Sequence, residues 1–322
     1  MQISKSSIWA AVKRSVFLIS LILLMAGALI SCSTAPKLPQ QRNSTKNQAN
    51  DKRALGAQAL LTYRVHEARG FYLDALELSQ QVDHAPGVIK ALIGLGDAAM
   101  RAGDDVLAMA YYKQAEQIGR QQSADEGLVT AMIRQSEVMI SRRDSQQALS
   151  LLQGLDRKVE SGSMQEALLL HAQGTALRLD GNYTLAASRL EEAEKIARQN
   201  DDLIAAAASL YQLASVRVQQ GKLSDAAELL LQSLELDHTM ENPAGIAASL
   251  EALAAVRARQ ERYDEAADCW IRAYAVYQAV GNVAGMRRAA EGHGAIAAST
   301  SHPDRRLEIE SKRNVWEQLV IQ

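Results

Sequence analysis

Apolar residues recur three and four positions apart over most of the chain, and short polar stretches interrupt them at regular intervals. The stretch around Gly103 is typical, with apolar or small residues on both sides of the glycine: Leu92, Leu95 and Ala99 before it, and Ala108, Tyr112 and Ala115 after it. This spacing places the apolar side chains on one face of an α-helix. Glycine permits the positive φ of a tight turn. The pattern therefore predicts two antiparallel helices joined near Gly103.

This helical pair is repeated along the chain. Between Leu210 and Tyr274 one unit is followed by a second copy, in which six positions correspond: Leu210, Leu213, Ala214, Gly221, Leu223 and Ala226, and then Leu250, Leu253, Ala254, Glu261, Tyr263 and Ala266. Further copies place turns near Gly70, Gly103, Arg143, Gly181, Gly221 and Glu261, and a seventh unit opens at Met286. One hairpin cannot bury its own apolar face, so neighbours must stack. We predict an all-α fold, an α-solenoid of about six to seven hairpins over residues 52–298.

The repeats also carry a small residue twelve positions before an alanine of the second helix: Gly96, Ser136, Gly174, Ala214 and Ala254. A small side chain at this position lets the two helix backbones approach closely. Two copies resemble the tetratricopeptide repeat (TPR) on seven positions each: Leu92, Leu95, Gly96, Gly103, Ala108, Tyr112 and Ala115, and Leu250, Leu253, Ala254, Tyr263, Ala266, Trp270 and Ala273. The unit is longer than the usual TPR and resembles the forty-residue variant of kinesin-light-chain-like repeats.

The resemblance implies a right-handed superhelix in which the first helix of each hairpin lines the concave side. Transferred by position, this lining supplies the candidate partner-binding residues, which are Lys90, Arg134, His171, Arg178, Tyr211, Gln212, Glu251 and Arg259. Their charges are mixed, and the small residues between them leave room for a helix or an extended peptide. The lysine and asparagine combination with which some TPR proteins hold a C-terminal carboxylate does not recur in this chain.

Both ends of the chain differ from the repeats. Residues 1–31 combine a basic start with an apolar run and end in Leu29-Ile30-Ser31-Cys32, which resembles the lipobox of bacterial lipoproteins. We expect residues 1–31 to be a signal peptide, Cys32 to be lipidated, and the polar residues 32–51 to form a disordered tether. Ser33, in place of Asp, resembles the signal for sorting to the outer membrane. Residues 299–322 are strongly charged, as a capping helix requires.

Composition narrows the classes of function. The sequence is 48% hydrophobic but only 4% aromatic, which favours closely packed helices of Ala and Leu. Without residues 1–31 the chain has 32 Lys and Arg against 37 Asp and Glu, because Lys5, Lys13 and Arg14 are removed. A chain with this negative balance and no basic run is not expected to bind nucleic acid.

The motifs of common enzymes do not occur. The chain has no Gly-rich phosphate loop, no nucleophile elbow and no His-Glu-x-x-His pair. Its six histidines are scattered over different repeats without carboxylate or thiol partners at ligand spacing, so we predict no metal, no cofactor and no catalytic residues. We interpret Trp270, Tyr274 and Tyr277, which are one helical turn apart, as core residues, although Tyr274 and Tyr277 could also contact a ligand.

The resemblance to TPR lipoproteins implies a function as a lipid-anchored scaffold or adaptor. Its partners would be envelope proteins or peptides, and it would sit in the outer membrane, facing the periplasm. Such proteins assist assembly of an outer-membrane, pilus or secretion machine, or recruit peptidoglycan enzymes. Two alternatives remain at this point: a ligand-binding or enzymatic protein that uses the concave face, and a self-associating structural module.

Overall fold

The structure, a computed structural model, describes residues 44–123 and 125–299, together with residues 311, 312, 314, 315 and 318. Residues 44–123 and 125–299 contain helices and turns and no strand. The thirteen α-helices of this region are α1 (Thr45–Leu61), α2 (Val65–Gln81), α3 (Ala85–Arg101), α4 (Asp105–Gln121), α5 (Asp125–Ser141), α6 (Ser145–Leu152), α7 (Met164–Leu179), α8 (Tyr183–Gln199), α9 (Leu203–Gln219), α10 (Leu223–Thr239), α11 (Pro243–Arg259), α12 (Tyr263–Ala279) and α13 (Val283–Ile296).

Consecutive helices pack as antiparallel hairpins, which confirms the predicted right-handed α-solenoid. Six hairpins are complete, from α1–α2 to α11–α12, and α13 opens a seventh. Most of the helices are 17 residues long, which corresponds to about 25 Å. One residue with positive φ stands in the turn of each hairpin: Tyr63, Gly103, Arg143, Gly181, Gly221 and Glu261. Five of the six predicted turns are therefore correct.

The predicted turn at Gly70 is wrong. Gly70 lies inside α2, and the first turn is seven residues earlier, at Tyr63, whose φ is 58°. The sequence pattern had been aligned in the wrong register. Tyr72 and Ala75 correspond to Tyr112 and Ala115, which lie well inside the second helix of the next hairpin and not at its turn. With the turn at Tyr63, the first hairpin has the same spacing as the second. A tyrosine in the left-handed conformation gives no turn signal that could be recognised in the sequence.

The first helices of the hairpins form the inner layer. Each of α1, α3, α5, α7, α9 and α11 packs on its own second helix and also on the first helix of the next hairpin. The second helices of successive hairpins make no comparable contact. Helices that converge in this way lie on the concave side of a curved solenoid. The order of the layers agrees with the lining expected from the resemblance.

The third hairpin departs from the regular pattern. Its second helix, α6, has only eight residues and ends at Leu152, and Gly154 follows it with a φ of 81°. A short 3-10 turn at Leu155–Arg157 and a loop that ends at the α7 cap Ser163 complete the connection. Glycine is favoured in this conformation because it has no Cβ to clash with the following carbonyl. The shortened helix explains why the fourth turn follows the third after fewer residues than elsewhere.

The superhelix brings its first turn against its last complete hairpin. The rings of Tyr63 and Tyr277 meet edge to face with centroids 6.4 Å apart. The guanidinium of Arg101 lies 5.1 Å from the centroid of the Tyr63 ring. Such aromatic and cation–π contacts are worth about 0.5–1.5 kcal/mol each. The concave surface is thus bounded at this place by a contact between distant repeats.

The boundaries at the two ends need separate comment. The tether was predicted to end at residue 51, but α1 begins at Thr45 and already buries Ala49, so that boundary is wrong by seven residues. The side chains of this first turn and a half are mostly polar and exposed, so the apolar periodicity that indicates a helix is missing from the sequence there.

The signal peptide, Cys32 and the rest of the tether lie outside the described residues. Of the predicted cap over 299–322, the structure describes Ser299, which ends a 3-10 turn, and five helical positions, 311, 312, 314, 315 and 318. Within the described part of the chain, no helix is long and apolar enough to span a membrane.

The helix crossings explain the small residues of the repeat. A Cβ added to Gly174 would lie 2.6 Å from Cγ of Leu190, and the ring of Tyr112 covers Gly96 in the same way. Gly70, in contrast, has no neighbouring atom within 4 Å of an added Cβ. Gly174 and Gly70 are both helical, so they differ in the space around them and not in their backbone conformation.

We predict that Gly174→Leu lowers the free energy of unfolding by about 1–3 kcal/mol, because the new side chain must displace Leu190 or separate α7 from α8. Gly70→Leu is the matched control, and it should leave stability unchanged or raise it by up to about 1 kcal/mol through better helix propensity. Urea denaturation followed by circular dichroism measures both. Equal midpoints for the two variants would show that the crossing is not tightly packed.

Candidate functional site: the concave groove

The candidate site is the groove lined by α1, α3, α5, α7, α9 and α11. All eight residues predicted to bind a partner lie on these first helices. They divide into separate clefts along the groove and do not form one cluster. Their roles in binding remain predictions, and the structure supplies the geometry in which each would act.

The N-terminal cleft has a volume of about 470 Å³ and contains Arg134. The guanidinium of Arg134 is 2.8 Å from the carboxylate of Glu137 and 3.5 Å from that of Asp97. Tyr112 donates a hydrogen bond of 2.7 Å to Asp97 Oδ1. Burial raises the pKa of Asp97, whereas the positive charge of Arg134 lowers it. Arg134 is therefore held by two carboxylates of its own chain.

A smaller cleft beside it contains Lys90. The Lys90 ammonium lies 3.5 Å from the carboxylate of Glu126, and both side chains are largely exposed. The cleft also receives the ring of Tyr72, which has a pKa raised to about 12 by burial and by the charge of Asp97. An exposed ion pair of this kind contributes little to stability and exchanges readily with a partner's charges.

The middle cleft brings together three of the candidate residues, His171, Tyr211 and Gln212, from two neighbouring first helices. His171 Nδ1 lies 3.1 Å from Ser209 Oγ. Burial, reinforced by the charge of Arg134, lowers the pKa of His171 to about 4. His171 is consequently neutral at pH 7, and it offers this cleft hydrogen bonds but no charge.

Asp237 also reaches the middle cleft, and sequence reasoning missed it. The residue is only 3% exposed, and Asn242 Nδ2 donates a hydrogen bond of 2.7 Å to Asp237 Oδ1. Gly245 makes room for it, since an added Cβ there would overlap the carboxylate. Burial raises the pKa of Asp237 to about 6, against the opposing effect of the Asn242 hydrogen bond. The available signal was its position one helical turn after Ser233, on the buried face of α10.

At the C-terminal end of the groove, Glu251 takes part in an internal network. It accepts hydrogen bonds of 2.6 Å from the Tyr277 hydroxyl and 2.9 Å from Arg288 Nε. Burial and the bond to Glu251 raise the pKa of Tyr277. Arg259, at the end of α11, is exposed and forms no ion pair within residues 44–123 and 125–299. Arg178, the eighth predicted residue, lines another cleft together with Arg143.

The aromatic stripe of α12 belongs to the core. Trp270, Tyr274 and Tyr277 are between 1% and 8% exposed, which confirms the packing interpretation. Cys269 is a buried free thiol, and burial raises its pKa. His293 is fully buried in α13. In the described part of the chain, no three His, Cys, Asp or Glu side chains are grouped as a metal site would require.

The comparisons with known proteins agree with this geometry. A family model described as tetratricopeptide repeat matches residues 209–244, which span most of α9, the turn after it, all of α10 and the start of α11. No curated protein sequence matches the chain. Many solved structures match the chain. The three described next do so at low sequence identity.

Three of these structures show the same fold. The signal transduction ATPase (STAND) protein with a tetratricopeptide repeat sensor from Pyrococcus horikoshii is 14% identical, with a TM-score of 0.61, over 82% of this chain and 40% of that one. The apo quorum sensor NprR from B. thuringiensis is 15% identical, with a TM-score of 0.57, over 97% of this chain and 84% of that one. A Rap protein complexed with Competence and Sporulation Factor is 15% identical, with a TM-score of 0.54, over 86% of this chain and 79% of that one.

The stacked hairpins and the groove define a superhelical repeat protein. The tetratricopeptide repeat model matches one unit of this stack, residues 209–244, and the three solved structures share the fold of the stacked hairpins.

We predict that Asp237→Asn stabilises the protein at pH 7 by about 2–3 kcal/mol. The folded-state pKa of about 6 lies above the ordinary aspartate pKa of 3.8, so the folded protein retains a proton between these pH values that the unfolded chain releases. Wild-type stability therefore falls as pH rises from about 4 to about 6, relative to the variant, and stays lower above that window.

Thermal melts of both proteins at pH 4 and pH 7 measure this difference. The difference in melting temperature should be much smaller at pH 4, where the folded carboxyl is protonated and the unfolded one is only partly ionised. A gap in melting temperature that is the same at both pH values would contradict the assignment to Asp237 ionisation.

Proposed function

We propose that this protein is an adaptor that holds a segment of a partner polypeptide in its concave groove. The observation that carries the proposal is the row of clefts on successive first helices, each lined by partly exposed polar side chains. A helix or an extended peptide can follow such a row and contact several repeats at once. One of the structurally similar proteins, the Rap protein, is complexed with Competence and Sporulation Factor, and this supports the proposal.

The composition of the groove favours a polypeptide over a small substrate. Its ionisable groups are distributed over α3, α5, α7, α9 and α11, and they do not converge on a single reacting atom. Several of them are already engaged with each other, as Arg134 is with Asp97 and Glu137. An elongated ligand matches this distribution better than a compact one. We therefore place the protein among scaffolds and not among enzymes.

Incorporation of a photo-crosslinking residue in living cells tests the groove. Gln212, on α9, lines the middle cleft, whereas Leu231, on α10, is 46% exposed and belongs to an outer helix. We expect a crosslinker at position 212 to yield discrete protein adducts and one at position 231 to yield none. A mass spectrometric readout would identify the partner.

The control keeps the two positions comparable, because both variants replace a surface residue on neighbouring helices of the same hairpin. Identical adduct patterns at both positions, or none at position 212, would contradict binding in the groove.

We further propose that the protein is a lipoprotein of the bacterial outer membrane, anchored through Cys32 and facing the periplasm, where it would serve an envelope machine or recruit peptidoglycan enzymes. The lipobox-like Leu29-Ile30-Ser31-Cys32 after the apolar run and Ser33 after the cysteine support this. Lipid chains on Cys32 would contribute about 0.8 kcal/mol per buried methylene, and two or more chains give stable anchoring.

The cysteines of the chain provide the test. We predict that Cys32→Ser abolishes labelling by a palmitate analogue and releases the protein from the membrane fraction. The matched control is Cys269→Ser, since Cys269 is the other cysteine and is buried in α12. That variant should keep both the label and the membrane association. Labelling that persists after Cys32→Ser would rule out this anchor.

A further inference from the structure

A cleft of about 430 Å³ lies where the turns of the third, fourth and fifth hairpins meet at one edge of the groove. Its polar lining comes from Arg143 in the third turn, Arg178 and Tyr183 on either side of the fourth turn, and Gln219 just before the fifth. The side chains of Ile140 and Leu179 supply apolar walls. Three consecutive hairpins therefore contribute to one concave site.

Ser141, which also lines the cleft, donates a hydrogen bond to Asp105, whereas the four polar side chains named above have no such partner in the described part of the chain. The guanidinium groups of Arg143 and Arg178, the Tyr183 hydroxyl and the Gln219 amide take part in no side-chain hydrogen bond or ion pair in the described part of the chain. Arg178 Nε is buried and still lacks an acceptor. A buried donor without an acceptor is costly to the folded state and calls for an explanation.

The nearest acidic residues along the chain do not neutralise this cleft. Asp144, next to Arg143, accepts a hydrogen bond from the backbone N–H of Gln147 as the cap of α6. Asp180, next to the fourth turn, accepts hydrogen bonds from Ser145 and Gln146. Both carboxylates are thus engaged with other donors. Burial lowers the pKa of Arg178, and the positive charge of Arg143 lowers it further.

Comparison of the hairpins makes Arg178 more unusual. It stands three residues before the positive-φ residue of its turn, and the same position in the other five hairpins is apolar: Leu60, Met100, Ile140, Val218 and Ala258. A residue needed only for packing would be apolar here as well. Arginine also presents several N–H donors in a planar fork that matches the two oxygens of a carboxylate.

We propose that this cleft is an oxyanion site that binds a carboxylate of the polypeptide held in the groove. The carboxylate would accept hydrogen bonds from Arg178 and Arg143, with Tyr183 and Gln219 as further donors. Its source is an Asp or Glu side chain or the C-terminus of the partner, since the chemistry of the group is the same in each case. The inference rests on the proposed adaptor function and adds to it the kind of residue that the groove selects.

The decisive variant is Arg178→Met, which introduces the residue present at this position in the second hairpin and is therefore compatible with the fold. Arg272→Met is the matched control, because Arg272 is an exposed arginine on the outer helix α12 without an ion pair in the described region. Circular dichroism melts establish that both variants are folded before binding is measured.

The probe is an array of short synthetic peptides in which each sequence is present with Glu, with Gln in its place, and with a free or an amidated C-terminus. We expect the wild type to bind either the Glu peptides more tightly than the Gln peptides, or the peptides with a free C-terminus more tightly than the amidated ones. Arg178→Met should weaken their binding about ten- to a hundredfold and leave the Gln or amide forms unaffected. Arg272→Met should behave as the wild type. The pair of peptides in which the carboxylate form loses affinity shows whether the carboxylate comes from a side chain or from the C-terminus.

A second measurement does not require a peptide. Titration of the wild type with acetate should shift the Arg178 Nε–H resonance in a saturable manner, whereas chloride at the same ionic strength should not. Equal binding of Glu and Gln peptides by the wild type and by Arg178→Met would overturn the oxyanion site and leave the adaptor function in place. If no peptide binds to any of the three proteins, both proposals fail. An Arg178 resonance that acetate does not shift would also overturn the site.

Discussion

The close approach of two helices within each hairpin is the constraint on which the rest of this structure depends. Gly174 allows α7 to pack on Leu190 of α8, and Gly96 receives the ring of Tyr112 in the same manner. These contacts set the angle of each hairpin, and hairpins of similar shape curve the stack in one direction. Curvature turns the first helices inward, so that the groove is a consequence of the crossing. The side chains of the first helices would not line a common groove if larger residues occupied the helix crossings.

The same constraint explains how much of the fold the sequence predicted. Close packing demands small residues at fixed intervals, and a fixed interval is the feature that a single sequence reveals best. The turns at Gly103, Gly181 and Gly221 followed from this together with glycine's tolerance of positive φ. The turn at Tyr63 did not, because nothing in a tyrosine indicates a left-handed backbone and Gly70 supplied a false signal. The early start of α1 was missed since its first residues are polar.

The sequence predicted which helices carry the candidate residues, but not the contacts that those residues make. Position in the repeat placed all eight candidate residues on the first helices, where the structure has them. Their partners depend on contacts between repeats, for which one sequence has no signal: Arg134 finds Asp97 one hairpin away, and Tyr277 meets Tyr63 from the opposite end of the solenoid. The buried charge of Asp237 was hidden for a similar reason, because its cost is set by the surrounding helices and not by its neighbours in the chain.

Internal pairing divides the charges of the groove into two kinds. Arg134 and Glu251 are held by opposite charges of their own chain at 3.5 Å or less, and a partner that displaced these contacts would have to replace them. Such residues shape the surface and discriminate against wrong charges more than they contribute affinity. In the described part of the chain the guanidinium groups of Arg143 and Arg178 have no such contact, so an incoming carboxylate breaks no ion pair and supplies an acceptor for the buried Nε–H of Arg178. Selectivity for a carboxylate is therefore concentrated at Arg178, where a buried donor in the groove has no acceptor.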